Sequence, residues 1–148
     1  MHAPVLLLSM LLCLASFSSA AIAADKKPVV IEGEARVIDA GTIQIDRSVI
    51  KLFGIVAPGP RQKCLRGALP WLCGAAAKKH LQELADRKQA RCVAVETFNA
   101  RCIVNNKDLS NEMVLAGWAV ADEAGDAYRP AEEKARAGKR GLWENVPD

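Results

Sequence analysis

Arg36-Val37-Ile38-Asp39-Ala40-Gly41-Thr42-Ile43-Gln44-Ile45-Asp46, continued by Arg47-Ser48-Val49-Ile50-Lys51-Leu52-Phe53-Gly54-Ile55, is the stretch that decides the fold class. β-Branched apolar residues dominate it, and from Thr42 to Asp46 polar and apolar residues alternate with the period of two that a half-buried strand requires. Ala40-Gly41 and Asp46-Arg47-Ser48 supply turn residues at the breaks. The stretch therefore reads as the end of a strand from Val29 to Ile38, a second strand from Thr42 to Asp46, and a third apolar run from Val49 to Ile55.

Downstream, Pro58, Gly59, Pro60, Gly67 and Pro70 mark a loop rich in breakers. From Trp71 to Arg87 the pattern becomes helical: Ala77, Leu81 and Leu84 share a face, with Lys78, Lys79, Gln82 and Glu83 off it. Arg91 to Glu96 and Arg101 to Val104 read as two strands around a tight turn. Asp108 or Ser110 can cap a short helix that runs through Leu115 and ends at Gly117. A last helix is expected from Pro130 to Gly138, with proline acceptable in its first turn. Two sets of short strands separated by a helix, then two helices, indicate a small α+β domain or a helix-decorated barrel.

Upstream, Val5 to Phe17 is almost purely apolar and is followed by the small residues Ser18, Ser19, Ala20, Ala21, Ile22, Ala23 and Ala24. This is the pattern of a signal peptide over residues 1–23, with Ala21-Ile22-Ala23 as the cleavage motif. The apolar run falls short of the roughly 20 residues a membrane span needs. Residues 24–148 then form one domain of about 125 residues, enough for a single core. It carries the whole formal charge of +3, too mild to argue for nucleic acid unless the cations cluster.

Cys64, Cys73, Cys92 and Cys102 remain after cleavage. An even number in an exported domain points to two disulfides, and arithmetic alone admits three connectivities. Without a Cys-x-x-Cys pair, and with His80 as the remaining histidine, a zinc site has no support. His80 reads as a surface or boundary residue. Trp71, Trp118 and Trp143 read as core and helix-packing anchors rather than stacking platforms.

Taken together, these fragments resemble the staphylococcal nuclease-like family. Arg36 to Ile43 is similar to its V-x-D-G-D-T-I segment, and Lys51-Leu52-Phe53-Gly54-Ile55-Val56-Ala57-Pro58-Gly59 to its R-L-x-G-I-D-A-P-E. Gln62-x-Cys64, Cys73-Gly74, the Cys92/Cys102 pair, Asp108-Leu109, Gly117-Trp118-Ala119, Tyr128 with Glu132 and Ala135, and Arg140-Gly141-Leu142-Trp143 resemble the exported bacterial branch in order and spacing. The resemblance implies a five-stranded OB-type barrel with three helices and a ligand groove on its open face. It also implies the pairings Cys64–Cys73 and Cys92–Cys102.

For this family the resemblance further implies hydrolysis of phosphodiesters with a Ca²⁺ ion, a Glu that helps activate water and two Arg that meet the phosphate. Calcium wants several hard oxygen ligands, and developing charge on phosphorus wants preorganised guanidinium forks. At the matching positions this chain has Gly41 and Val56 where the family has calcium-binding acids, and Gly59 where it has the Glu. Lys51 replaces an Arg, keeping charge but losing the fork. The second Arg belongs to a D-R-Y-G-R hairpin tip. Here that hairpin is shorter and reads Thr97-Phe98-Asn99-Ala100, with Thr97 at the Arg position.

Asp39, Thr42, Lys51 and Arg101 are the groove residues retained, and no catalytic residue set is intact. The expectation is an exported, non-catalytic domain without a calcium ion or other cofactor, periplasmic or secreted, serving as a binding or interaction module. Lys51, Arg61, Lys63 and Arg66 near one rim leave room for weak nucleic-acid binding, and a protein partner is the other option. No membrane attachment is expected once the leader is removed. The alternative is a metal-dependent endonuclease with residual or rewired activity, in which Asp46 or Glu96 supplies ligands.

Overall fold

A computed structural model of the chain describes residues 27–146; the signal-peptide reading lies outside them. The strands are β1 (Val30–Asp39), β2 (Thr42–Ile45), β3 (Ser48–Leu52), β4 (Ile55–Val56), β5 (Cys64–Arg66), β6 (Leu69–Trp71), β7 (Gln89–Ala94), β8 (Asn99–Val104), β9 (Lys107–Asp108) and β10 (Val120–Ala121). The helices are α1 (Cys73–Ala85), α2 (Leu109–Leu115) and α3 (Arg129–Ala137), with short 3₁₀ turns at Asp126–Tyr128 and Gly141–Trp143.

β1 is long enough to serve two neighbours. Its first half pairs antiparallel with β7, from Val30↔Val93 to Glu34↔Gln89, and its second half with β2, from Ala35↔Ile45 to Asp39↔Thr42. β2 continues antiparallel into β3, and β7 into β8. A short parallel pairing of β3 with β8, Lys51↔Asn99 and Leu52↔Ala100, closes the order β3-β2-β1-β7-β8 into a five-stranded barrel. With three helices attached, this is the OB-type architecture that the resemblance implied.

Closure makes the inward residues of every strand a common core. Ile43, Ile45, Ile50, Leu52, Val104 and the Cys92–Cys102 bridge fill the barrel. Ala77, Leu81 and Ala85 of α1 cover one end together with Met113 and Val114 of α2. At the C-terminus of α1, Asp86 ties the helix to the sheet: its carboxylate accepts from Val37 N at 3.0 Å, and Arg87 N donates to Ala35 O at 2.8 Å. Asp108 caps α2 by accepting from Ser110 N and Asn111 N, the arrangement one of the two candidate caps required.

Two differences from the sequence reading have local causes. The run Val49 to Ile55 is not one strand. It breaks at Phe53-Gly54, where Gly54 has φ +76° and a Cβ would lie 2.8 Å from the Tyr128 ring. After the break the chain starts β4, which pairs with β10. The breaker-rich loop also holds a hairpin, β5–β6, clamped at its base by Cys64–Cys73 with Cα atoms 5.6 Å apart. Both disulfides have the connectivity the resemblance implied, and two of them suit an oxidising, extracytoplasmic compartment. Among the described residues no helix is long and apolar enough to cross a membrane.

Candidate functional site

Barrel closure also builds the site. Thr42 of β2 sits opposite Lys51 of β3, and Lys51 sits beside Asn99 of β8, so three strands present one row of polar residues. Lys51 N donates to Phe98 O at 2.9 Å, which fixes the row where the barrel shuts. The row forms one wall of a cleft of about 450 Å³. Asp39 and Gly41 stand at the β1–β2 turn, Val56, Ala57, Pro58 and Gly59 opposite, and Glu96, Asp122 and Ala124 complete the rim.

Each wall is held from behind. Ser110 Oγ donates to Phe53 O at 2.8 Å, and Asp122 N to Gly54 O at 3.1 Å. Buried Glu132 accepts from Ala121 N at 2.7 Å and ion-pairs with Arg136, fixing β10 and through it Val56. The Gly59 turn is pressed against α1, where Gly74 has no room for a side chain: a Cβ there would lie 1.8 Å from Gly59 O. Glycine at 74 is what allows helix and turn to touch.

The cleft gathers Gly41, Lys51, Val56 and Gly59 of the five positions singled out from the sequence, along with Asp39 and Thr42. The fifth, Thr97, lines a neighbouring apolar cavity of about 380 Å³ with Phe98 and Val49 instead. Arg101 is not among the cleft residues; its guanidinium lies 5.3 Å from the centre of the Phe53 ring. Asp46 is also elsewhere, in a surface depression with Glu34, Arg36 and Gln44.

Glu96, Asn99 and Asp122 are cleft residues that sequence reasoning did not assign together. Nothing local in the sequence marks them, because barrel closure and the β4–β10 pairing bring them in from distant segments. Each of the carboxylates present accepts a hydrogen bond from a close neighbour in sequence. Asp39 Oδ1 accepts from Gly41 N at 2.9 Å, Glu96 Oε2 from Asn99 Nδ2 at 2.8 Å, and Asp122 Oδ1 from Ala124 N at 2.8 Å. Among the described residues no three His, Cys, Asp or Glu side chains converge as an ion would require, so this donor set does not fit calcium.

The aromatic anchors lie away from the cleft. Trp71 and Trp118 meet edge to face at 6.0 Å between ring centres, with His80 beside Trp118. Burial there pushes the His80 imidazole below its usual pKa. Arg136 covers the Trp143 ring at 4.1 Å.

No curated protein matches the chain significantly. The staphylococcal nuclease homologue family matches over residues 50–145, a span that holds Lys51, Val56, Gly59 and Thr97 and begins just after the Asp39–Gly41 turn. On that match across more than half of its length, and on the closed five-stranded barrel that carries it, the chain belongs to the staphylococcal nuclease homologue family.

Proposed function

We propose that this is an exported, periplasmic or secreted member of the exported bacterial branch whose cleft binds without cutting. The observation that carries the reading is the chemistry of the cleft's lining. Gly41, Val56 and Gly59 stand where the family resemblance puts two calcium-binding acids and a water-activating Glu, and all three line the same cleft. Lys51 brings one positive charge to that cleft in place of a bidentate fork. What remains is a polar slot with Lys51, Thr42 and Asn99 on one side and three separate carboxylates around it. Such a slot can position a polar ligand by hydrogen bonds, but the single Lys51 cation and the separate carboxylates form neither a metal-ligand set to activate water nor a guanidinium fork to stabilise a pentavalent phosphorus.

The test is degradation of plasmid and single-stranded DNA and of RNA with Ca²⁺, Mg²⁺, Mn²⁺ or chelator, beside binding to the same nucleic acids. The expected outcome is no metal-dependent cleavage. Chelator-sensitive turnover that co-purifies with the protein through successive columns would overturn the reading in favour of a rewired nuclease.

A further inference from the structure

We infer that the β5–β6 hairpin is a docking surface for an anionic lipid membrane. It stands apart from the cleft, and the inference holds whether or not the cleft cuts.

The hairpin presents aliphatic residues to water on a rigid frame. Leu65 is 70% exposed, Leu69 73% and Leu72 52%. Cys64 pairs with Trp71 at the hairpin base and is bonded to Cys73 at the start of α1, so the leucines are held out rather than free to fold back. The one charge between Cys64 and Cys73 is Arg66. Its guanidinium lies back over the Trp71 ring, 4.7 Å from the centre, and 2.8 Å from Glu144, leaving the Gly67-Ala68 tip apolar. An exposed aliphatic knuckle that is already ordered loses little entropy on docking.

The stretch of sequence that carries it is basic, and the acidic group against it, Glu144, is paired with Arg66. From Arg47 to Gln82 the chain has no Asp or Glu, while Arg47, Lys51, Arg61, Lys63, Arg66, Lys78 and Lys79 are all basic. Arg61 and Lys63 lead directly into the hairpin and are exposed. Leucines flanked by cations match the boundary between acyl chains and anionic headgroups, where apolar burial and electrostatic attraction act together. A nucleic acid would use the cations and leave the leucines idle. The ring that could stack on bases, Trp71, is half-buried against Trp118 and Arg66. Among the described residues no helix is long and apolar enough to cross a membrane; surface docking needs none, and it would revise the expectation that the domain has no membrane attachment once its leader is removed.

The experiment is co-sedimentation of the exported, disulfide-bonded protein with vesicles of phosphatidylcholine alone or mixed with phosphatidylglycerol. Binding is expected to the mixed vesicles and to weaken with salt. Arg61→Gln and Lys63→Gln should each weaken it, by roughly fivefold. Leu65→Ser combined with Leu69→Ser should weaken it by about tenfold or more, with melting temperature unchanged because both side chains are exposed. Every variant shares the same N-terminus, so a difference between variants reports the hairpin. Failure to bind the mixed vesicles, equal binding to neutral ones, or a leucine variant that binds like the parent would each overturn the proposal. So would single-stranded DNA held tightly by the parent and lost in the hairpin variants, which would assign the surface to nucleic acid.

Discussion

The Tyr128 hydroxyl donates to Asp108 Oδ2 at 3.0 Å, while Oδ1 of the same carboxylate accepts from Ser110 N at 2.9 Å and Asn111 N at 3.3 Å. One side chain thus starts α2 and anchors the residue that precedes α3. The Tyr128 ring in turn packs on Gly54, whose turn opens the cleft. Removing the hydroxyl alone, in Tyr128→Phe, should cost about 1 kcal/mol, the net worth of one hydrogen bond. Asp108→Ala should cost more, about 2–3 kcal/mol, because it removes the helix cap and leaves the buried hydroxyl unpaired. Urea denaturation of the two variants checks the order. Equal losses would mean that the cap contributes nothing.

Tyr128 is the one tyrosine of the chain, so tyrosinate absorbance reads it without interference. Burial raises its pKa first, and the Asp108 charge and hydrogen bond add to the shift. The folded state therefore holds the phenolic proton more tightly than the unfolded state. That stability is fully present below the ordinary tyrosine value of about 10 and is lost as pH rises through the higher folded value. Titration should show a midpoint above that of free tyrosine, falling in Asp108→Asn. A folded protein that titrates at the free value would contradict this.

Much of the barrel was legible because β2, β7 and β8 carry local signals: alternation, turn residues and cysteines. The split of β3 from β4 was not, because Val49 to Ile55 is apolar but for Lys51 and the break comes from Tyr128 packing on Gly54. The β5–β6 hairpin was hidden for a different reason. Its prolines and glycines argue for loop, and a disulfide supplies what propensity does not. In the site, Gly41, Lys51, Val56 and Gly59 could be read because they sit in contiguous motifs. Glu96, Asn99 and Asp122 could not, since their position depends on a parallel β3–β8 contact and on β4–β10 pairing. Thr97 lines the neighbouring cavity and not the cleft, whereas Glu96 and Asn99 line both, a distinction that counting along the hairpin does not make.

The disulfides should contribute unequally despite nearly equal loops, which span separations of 9 and 10 residues. Each constrains the unfolded chain by about 2–3 kcal/mol. Cys92 and Cys102 are wholly buried in the barrel, so replacing both with Ala also leaves a small cavity. Of the other pair only Cys73 is wholly buried, while Cys64 is half-buried at the base of a surface hairpin, so less buried volume is lost. The Cys92→Ala/Cys102→Ala variant should therefore melt below Cys64→Ala/Cys73→Ala. The reverse order would place more of the stability in the hairpin than its exposure allows.

Calcium should not stabilise the domain. A ligand that binds only the folded state contributes RT ln(1 + [L]/Kd), which vanishes when Kd far exceeds the concentration. Because Asp39, Glu96 and Asp122 do not converge as a ligand set among the described residues, millimolar Ca²⁺ should leave the melting temperature unchanged. A saturable shift specific to Ca²⁺ would reveal a ligand set formed on binding.

Restoring one residue should not create a nuclease, and the structure shows that the failure would not be one of folding. A Cβ at Gly59 meets nothing within 4 Å, and one at Gly41 makes an ordinary 3.5 Å contact with Ala57. Val56 is 58% exposed, so an aspartate there keeps its water. Gly41→Asp, Val56→Asp, Gly59→Glu and Lys51→Arg should each fold within about 1 kcal/mol of the parent. Groups that act as one catalytic unit are strongly non-additive, so each single variant leaves the rest limiting. A glutamate at 59 has no metal-bound water to act on, and an aspartate at 56 lacks the partner acid at 41. Combining the four substitutions should bring calcium binding first, read as a saturable rise in melting temperature. Cleavage should remain weak even then, because Thr97 lines the neighbouring cavity rather than the cleft and Arg101 lies over Phe53. A missing transition-state guanidinium costs on the order of 10²–10³ in rate by analogy with loss of one oxyanion donor. Robust turnover by any single variant would mean that the remaining catalytic groups were present all along.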